Sequence, residues 1–124
     1  MDKIYKVIFS IKNNTEEGLN IHIVEFEIDK RCKTYIKVFT PGFKNERRFK
    51  YESLNKFVKR DAELHEYSGY VLTEDISDDT INKYKSEFKA YIEKEIENLK
   101  KSILHLESNL KKEDIRIHDE YHVY

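Results

Sequence analysis

The sequence has few of the residues that interrupt regular structure or cross-link a chain. It contains three Gly, one Pro and one Cys among 124 residues, and it has no Trp. A single cysteine excludes an intramolecular disulfide, so the cysteine pattern of a secreted, disulfide-stabilised scaffold is absent. The low Gly and Pro content favours regular elements joined by short turns.

Long apolar runs are also missing. The first residues, MDKIYKVIFSIKNN, alternate between polar and apolar types and lack the continuous apolar segment of a signal peptide. No stretch approaches the ~20 apolar residues of a membrane-spanning helix. We therefore expect a cytoplasmic protein that does not enter a membrane. The 39% of hydrophobic residues suffices for one packed core, and the length fits a single domain, 1–124.

Basic and acidic residues are unevenly distributed along the chain, although the formal net charge is only −1. Residues 30–60 hold eleven Lys and Arg against two acidic residues, whereas the rest of the chain holds twelve basic and twenty-two acidic residues. Near-neutrality therefore conceals a basic middle segment between acidic flanks.

Polar and apolar residues alternate through segment 1–52 with the period of β-strands. Four strands are predicted, over IYKVIFSIK, LNIHIVEFEID, CKTYIKVFT and RRFKY, with a strong turn signal at PGF (41–43). The second strand changes phase between Ile23 and Val24, which predicts either a β-bulge or a strand buried on both faces. This segment is expected to form an antiparallel β-meander.

Two helices are predicted after the meander. Ser53 is a suitable N-cap for a short helix over 53–60, in which Leu54, Phe57 and Val58 follow at helical spacing. Residues 61–69 have the composition of a loop, and YVL (70–72) is a candidate short strand. The strongest signal covers residues 78–110, which begin with a Ser-Asp-Asp cap and contain no Gly or Pro.

The apolar residues of 78–110 form one continuous stripe. Their spacing is 3, 4, 4, 4, 3, 4, 3 and 4 residues, through Ile81, Tyr84, Phe88, Ile92, Ile96, Leu99, Ile103, Leu106 and Leu110. Such a helix is about 50 Å long, whereas a chain of this size has a radius of gyration near ~14 Å. The distal residues Leu99, Ile103, Leu106 and Leu110 resemble a coiled-coil seam, and the consecutive four-residue steps form a stutter. We expect them to be covered by a hairpin of the chain on itself, by a second copy of this chain or by a different protein; a helix lying diagonally on the sheet with a frayed end is the alternative.

The tail, 111–124, contains two histidines. In a helix, His118 and His122 have the i, i+4 spacing of a zinc pair, which would allow a zinc-dependent enzyme. However, Ile115, Ile117, Tyr121 and Val123 alternate as in a strand, and two histidines on the other face of that strand are about 13 Å apart. We therefore expect an edge strand and no metal site.

No motif in the chain indicates a particular enzymatic reaction. GxGxxG, GxxxxGK[ST], CxxC and GxSxG are absent. Cys32 lies on the apolar register of a predicted strand, which favours a buried, inert thiol over a nucleophile. The acidic residues after Glu87 alternate with lysines, as on a solvated helix face. We expect no catalytic residue, no metal and no cofactor.

The basic middle is the second candidate site. Cations around exposed aromatic rings hold single-stranded nucleic acid by contacting phosphates and stacking on bases. The residues that would do so here are Lys33, Tyr35, Lys37, Arg47, Arg48 and Lys50. KTYIKVFT partly matches the third-strand signature of RNA-recognition motifs but departs from it at both glycine positions. The alternative is that these cations solvate the sheet or pair with the acidic helix.

The order of segments resembles small accessory proteins of phages and prophages of low-GC Gram-positive bacteria. The segments concerned are the β-meander, YESLNKF (51–57) and YVLTEDISDDTINKYKSEFKAYIEKEIENLKKSI (70–103). The resemblance implies a protein similar in style to anti-CRISPR inhibitors. These proteins occupy, bridge or dimerise a nuclease and need no active site of their own. It transfers no functional residue.

Together these patterns predict an α+β protein. An antiparallel β-meander of four to five strands is expected to pack against a short helix and one long C-terminal helix. The predicted function is a non-enzymatic, phage-type inhibitor that acts by protein–protein contact on a host macromolecular complex such as a CRISPR or other defence nuclease. The alternative is a nucleic-acid-binding accessory protein that uses the basic face of 30–60.

Overall fold

A computed structural model describes residues 2–39 and 47–117. Within them the chain forms six strands and one helix: β1 (Lys3–Lys12), β2 (Leu19–Arg31), β3 (Tyr35–Val38), β4 (Arg47–Lys50), β5 (Val58–Glu63), β6 (Glu66–Thr73) and α1 (Asp78–Leu110). A single 3-10 turn, Tyr51–Ser53, follows β4. The predicted α+β class is confirmed.

The six strands form one antiparallel sheet in the order β4-β3-β2-β1-β6-β5. The first four strands pair with their sequence neighbours, so the predicted meander is confirmed. The β5–β6 hairpin extends the sheet on the other side of β1, through pairing of β6 with β1. The sheet therefore has more strands than predicted, and β1 lies inside it with a partner on each side.

The phase change in β2 results from a strand with apolar side chains on both faces. The β1–β2 register runs without interruption from Ile11 opposite Leu19 to Lys3 opposite Glu27. The irregularity of β2 comes later, between Ile28 and Lys30 where it pairs with β3. A β-bulge between Ile23 and Val24 is therefore excluded. The other predicted alternative, a strand buried on both faces, is wrong as well, because Ile21 and Ile23 are exposed although β2 is apolar on both faces.

The predicted short helix over 53–60 is wrong. Its first residue belongs to the 3-10 turn, Asn55 has a positive φ of 58°, and β5 begins at Val58. A positive φ ends a right-handed helix, because the left-handed region is incompatible with its hydrogen-bond pattern. Phe57 packs against the core instead of lying on a helix face. The helical spacing of three apolar residues was therefore coincidental.

The predicted loop over 61–69 is also wrong. Strand β5 continues to Glu63, a turn at Leu64 and His65 reverses the chain, and β6 begins at Glu66. Leu64 has a φ of 55° in this turn and its side chain is 99% exposed. The strand β5 lies at the sheet edge and is made largely of polar residues, so it lacks the apolar alternation by which strands are recognised.

By its contacts the chain divides into two units, Met1–Ile92 and Glu93–Tyr124. The described residues of the first unit form two hydrophobic clusters. One contains Val7, Phe9, Val71, Tyr84 and Phe88, and the other contains Ile4, Ile36 and Val38. Because side chains alternate along β1, Ile4 and Val7 lie on opposite faces of the sheet. The sheet thus has an apolar cluster on each face.

The helix α1 has the predicted bounds. Its N-terminus is capped by Ser77, whose Oγ accepts a hydrogen bond from the backbone N–H of Thr80 at 3.4 Å. In the first unit, Tyr84 and Phe88 are buried, and the Tyr84 hydroxyl donates to the backbone oxygen of Asn55 at 3.0 Å. Side-chain burial and a side chain-to-backbone hydrogen bond therefore fix the first turns of α1 on the sheet.

The second unit contains the rest of α1 and the described part of the tail. Residues 111–117 form no strand, and Ile115 and Ile117 are exposed. The histidines of the tail, His118 and His122, lie outside the described residues together with most of the predicted edge strand. Among the helices of the described residues, none combines the length and apolar content needed to span a membrane.

Candidate binding surfaces

The first candidate surface is the distal part of the α1 stripe, in the second unit. It consists of Ile96, Leu99, Ile103, Leu106 and Leu110, which we call the seam. The exposed fraction of these residues rises from 45% at Ile96 to 87% at Leu110. Since large apolar residues gain about 1.5–3 kcal/mol each on full burial, a contiguous exposed row of them is typical of a binding surface.

The seam has the spacing of a heptad repeat. From Ile96 onward its steps are 3, 4, 3 and 4, which places Ile96, Ile103 and Leu110 at a positions and Leu99 and Leu106 at d positions. The stutter of the full stripe lies earlier, between Tyr84 and Ile96. Leu104 is also exposed, at 65%, but it occupies a b position off the seam. The exposed part of the stripe is thus its regular coiled-coil part.

The second candidate surface is a depression around Tyr35, with a volume of about 590 Å³. Strands β3 and β4 place three of the six predicted residues there, because Tyr35 lies opposite Lys50 and Arg48 shares their face. The Arg48 guanidinium lies 4.5 Å from the centre of the Tyr35 ring. The lining residues of this Tyr35 depression are Lys33, Thr34, Tyr35, Arg48, Lys50, Tyr51 and Glu52.

Two of the six predicted basic-site residues are not part of the Tyr35 depression. Lys37 lies on the same face, where its Nζ is 3.5 Å from Oδ2 of Asp29. Arg47 lies on the opposite face, since it pairs with Val38, and its guanidinium is 5.4 Å from the centre of the Phe26 ring. Strand alternation therefore divides the neighbouring residues Arg47 and Arg48 between two faces of the sheet.

The basic segment makes ion pairs within the first unit. Arg31 contacts the carboxylates of Asp2 and Glu74, the contact with Glu74 being the closer, and Lys37 contacts Asp29. The hydrogen bond that the Arg31 guanidinium donates to Glu74 is the main reason that the pKa of Arg31 is raised. These carboxylates all precede α1 in the sequence, so the described ion pairs of the basic segment are made to acidic residues outside the long helix.

The remaining candidates, Cys32 and the possible metal ligands, do not form a reactive or metal-binding group in the described part of the chain. Cys32 is half-buried, and its backbone N–H donates to the oxygen of Tyr35 at 2.9 Å. Within residues 2–39 and 47–117, no group of three His, Cys, Asp or Glu side chains is close enough to hold a metal ion. The predictions about His118 and His122 concern residues outside this part and stay predictions.

Sequence reasoning missed a group of cations on the face that carries Arg47. The side chains of Lys6 and Arg60 both approach the ring of Tyr70 there. Burial, and then the charges of Arg60 and Arg47, lower the pKa of Lys6. Strand alternation in β1 predicts that Lys6 and Val7 lie on opposite faces of the sheet. Arg60 could not be assigned to the face of Lys6, because strand β5 was not predicted.

Comparison of the chain with protein-family models, with curated proteins and with solved structures returns no match. The candidate surfaces are therefore defined by their own chemistry. One is an exposed heptad seam in the second unit, and the others are clusters of cations and aromatic rings on the sheet of the first unit.

Proposed function

We propose that the protein is a non-enzymatic binding protein that acts by protein–protein contact through the seam. The observation that supports this proposal is the exposure of five apolar side chains at uninterrupted a and d spacing. Residues of a coiled-coil seam gain their stabilisation when they insert between the side chains of a facing helix. The partner is therefore expected to present a helix of its own.

The occupant that fits best is a second copy of this chain, in parallel orientation. β-Branched Ile at a positions with Leu at d positions favours parallel two-stranded coiled coils, and the seam has Ile96 and Ile103 at a with Leu99 and Leu106 at d. In the same register Glu95 occupies a g position and Lys100 the following e position. A parallel dimer would place each Glu95 beside Lys100 of the other copy, so the flanking charges are complementary.

Light scattering across a concentration series tests the dimer. We expect the mass to approach twice 15.0 kDa as concentration rises. Leu106→Glu should return the mass to that of one chain, because it places a charge at a d position. Leu104→Glu is the matched control, since it makes the same change at an exposed b position and should leave the mass unchanged. A single-chain mass for the unmodified protein at all concentrations would contradict the proposal.

Orientation is tested separately with a cysteine at a d position. In a Cys32→Ser background, Leu99→Cys should form a disulfide between two copies under oxidising conditions, because identical d positions face each other in a parallel pair. In an antiparallel pair Leu99 is not opposite itself. Dimers that lack the disulfide would therefore overturn the parallel arrangement while leaving self-association intact.

We further propose that the target of this binding protein is a host macromolecular complex in the cytoplasm, such as a CRISPR or other defence nuclease. The support for this role is the resemblance of the segment order to phage accessory proteins. An inhibitor of this type needs a contact surface and no active site. Adding the purified protein to a defence nuclease should slow target cleavage, and Leu106→Glu should restore cleavage; unchanged cleavage across the tested nucleases would contradict this role.

A nucleic-acid-binding accessory protein is the second candidate function. The observation that favours it is the Tyr35 depression, which is lined by three cations, Lys33, Arg48 and Lys50, with Arg48 over the Tyr35 ring. Phosphate contacts make such binding steeply dependent on salt. We expect a retarded band with a single-stranded oligonucleotide at low salt, lost at 200 mM salt and weakened by Lys33→Glu. No retarded band at low salt would remove this candidate.

A further inference from the structure

A separate group of cations surrounds Tyr70 on the sheet face opposite to the cluster of Phe9 and Phe88. Tyr70 on β6 lies between Ile8 of β1 and Val58 of β5, and these three side chains share one face. Lys6 is two residues before Ile8 on β1, and Arg60 is two residues after Val58 on β5. Both side chains therefore lie on the same face of the sheet as Tyr70. The Lys6 Nζ is 4.6 Å and the Arg60 guanidinium 5.1 Å from the ring centre.

Arg47 approaches the same face from β4. It lies with Lys6 and Tyr70 in a depression of about 360 Å³, which we call the Tyr70 depression. Its lining includes the four cations Lys6, Arg47, Arg48 and Lys50, the apolar side chains of Phe49 and Leu72, and the hydroxyl groups of Ser53 and Tyr70, with no carboxylate among its described lining residues. Arg60 does not line it; Arg60 lines a separate depression together with Glu63 and Glu66. The sheet thus brings together residues from β1, β4 and β6 that are far apart in the sequence.

The cations of this group are close enough to repel one another. Lys6 and Arg60 are measured from the same ring centre, so their charges are separated by no more than the sum of those two distances. That is within about one Debye length, ~10 Å, at 0.1 M salt. Among the ion pairs of the described side chains, none involves Lys6, Arg47 or Arg60. The lowered pKa of Lys6 has both burial and this repulsion as its causes.

We propose that Lys6, Arg47 and Arg60 form a binding site for a phosphate group, of the kind that a free nucleotide or a nucleic-acid strand carries. A bound anion would relieve the repulsion among the three cations. Arginine presents several N–H donors in a planar fork that matches phosphate oxygens, and lysine adds a mobile point charge. Lys6 and Arg60 both lie against the aromatic ring of Tyr70.

The composition of the Tyr70 depression favours phosphate over a carboxylate. Lys6 and Arg47 in the depression, with Arg60 against the same Tyr70 ring, suit a group that carries up to two negative charges, whereas a carboxylate carries one and would leave part of the repulsion unrelieved. The volume of about 360 Å³ falls within the range of small-molecule sites. Phe49 and Leu72 offer apolar surface to the organic part of such a ligand. A phosphate ester is therefore a better match than a bare anion.

Amide NMR with three probes tests the site: inorganic phosphate, a nucleoside monophosphate and a 12-residue single-stranded oligonucleotide. We expect the nucleotide or the oligonucleotide to shift the amides of Tyr70 and Leu72 more strongly than inorganic phosphate does. Shifts with the nucleotide identify a free nucleotide as a sufficient ligand, and shifts with the oligonucleotide alone identify the strand. Absence of shifts at both amides with all three probes would overturn the proposal.

Variants on one strand provide a matched comparison. Arg60→Gln should weaken binding about tenfold, as expected for the loss of one charge-assisted hydrogen bond, and Lys6→Gln gives a second variant in case Arg60→Gln unfolds. Lys59→Gln makes the same change of charge at the adjacent residue, which lies over the Tyr91 ring and not over Tyr70, and should leave affinity unchanged. Equal weakening by Lys59→Gln and Arg60→Gln would overturn the site in favour of general charge attraction.

This site and the two functions proposed above can fail independently. Lys33 lines the Tyr35 depression but not the Tyr70 depression, so Lys33→Glu should leave the shifts of Tyr70 and Leu72 in place. Loss of those shifts in Lys33→Glu, with the fold intact by circular dichroism, would assign the binding to the Tyr35 depression and overturn the Tyr70 site.

Discussion

The proximal and distal parts of the α1 stripe differ in burial although they have the same kind of residue at helical spacing. Phe88 is fully buried, whereas Leu106 is 69% exposed. Phe88 contacts three other rings, with centres 5.9 Å away in Phe9, 6.3 Å in Phe57 and 6.1 Å in Tyr91. Leu106 belongs to the second unit, where the large apolar residues of the helix are exposed. Periodicity therefore predicts that a helix forms, while the burial of its stripe depends on what packs against it.

The spacing of the stripe carries a further distinction. In the first unit the steps from Tyr84 to Ile92 are four residues each, and Tyr84 and Phe88 are buried there. In the seam the steps alternate between three and four residues, as in a coiled coil. The change of spacing coincides with the change from buried to exposed residues. We infer that the two parts of α1 are suited to different partners, a sheet and another helix.

The largest expected effect comes from Phe88→Ala. Removing a fully buried aromatic side chain from contact with three rings should lower the free energy of unfolding by about 3–5 kcal/mol. Chemical denaturation monitored by circular dichroism measures this difference. Phe88→Leu is the control, since it keeps most of the apolar volume and should cost less. A loss below about 1 kcal/mol for Phe88→Ala would show that the proximal stripe is not the core of this protein.

A smaller loss is expected from Gly69→Ala, which adds volume to the same core. A Cβ at Gly69 would lie 2.4 Å from Cζ of Phe57 and 3.1 Å from the backbone oxygen of Val58. Forcing Phe57 aside should cost about 1–3 kcal/mol, the usual range for overpacking. Phe57→Leu in combination should recover part of the added cost, because the shorter side chain lacks Cζ. If the double variant loses the sum of the two single changes, the ring is not the obstacle.

Ser77→Ala tests the boundary at which α1 begins. Loss of the N-cap hydroxyl should cost about 1 kcal/mol, since one backbone N–H of the first turn loses its acceptor. Thermal unfolding at neutral pH measures the loss, and Ser86→Ala within the helix is the control, because it removes a hydroxyl that bonds to the preceding turn. Equal losses for both variants would show that the cap contributes nothing of its own.

The stability of the N-terminus of α1 should decrease at acidic pH. Hydrogen bonds from the Thr80 hydroxyl, and from the backbone and hydroxyl of Ser77, lower the pKa of Asp75 below 3.8. Since the folded pKa is the lower one, this stabilisation is present above pH 3.8 and is lost as pH falls through the folded value. Asp75→Asn should therefore flatten the pH dependence of stability in that range. Unchanged curves for the two proteins would refute the assignment.

Some features of the fold could be predicted because a single local pattern determines them. The helix α1 has uninterrupted periodicity and a cap, and strands β1 to β4 alternate clearly. Strand β5 could not be found, because its residues are mostly polar and its pairing with β6 depends on a turn with Leu64 at positive φ. For the same reason the cations around Tyr70 were missed, since Lys6 and Arg60 meet only through strand register.

The smallest effect on stability is expected from Leu106→Ala. This change is also the sharpest test of the difference between the proximal and distal parts of the α1 stripe. At a concentration where the protein is a single chain, the change should alter stability by at most about 0.5 kcal/mol, because Leu106 is largely exposed and Ala is an equally good helix former. If the seam pairs with a second copy, the loss should grow with protein concentration, since association stabilises the folded state by mass action. A loss above 1 kcal/mol that is independent of concentration would mean that the chain covers its own seam. The two parts of α1 would then share one kind of partner, and the distinction drawn from their spacing would fail.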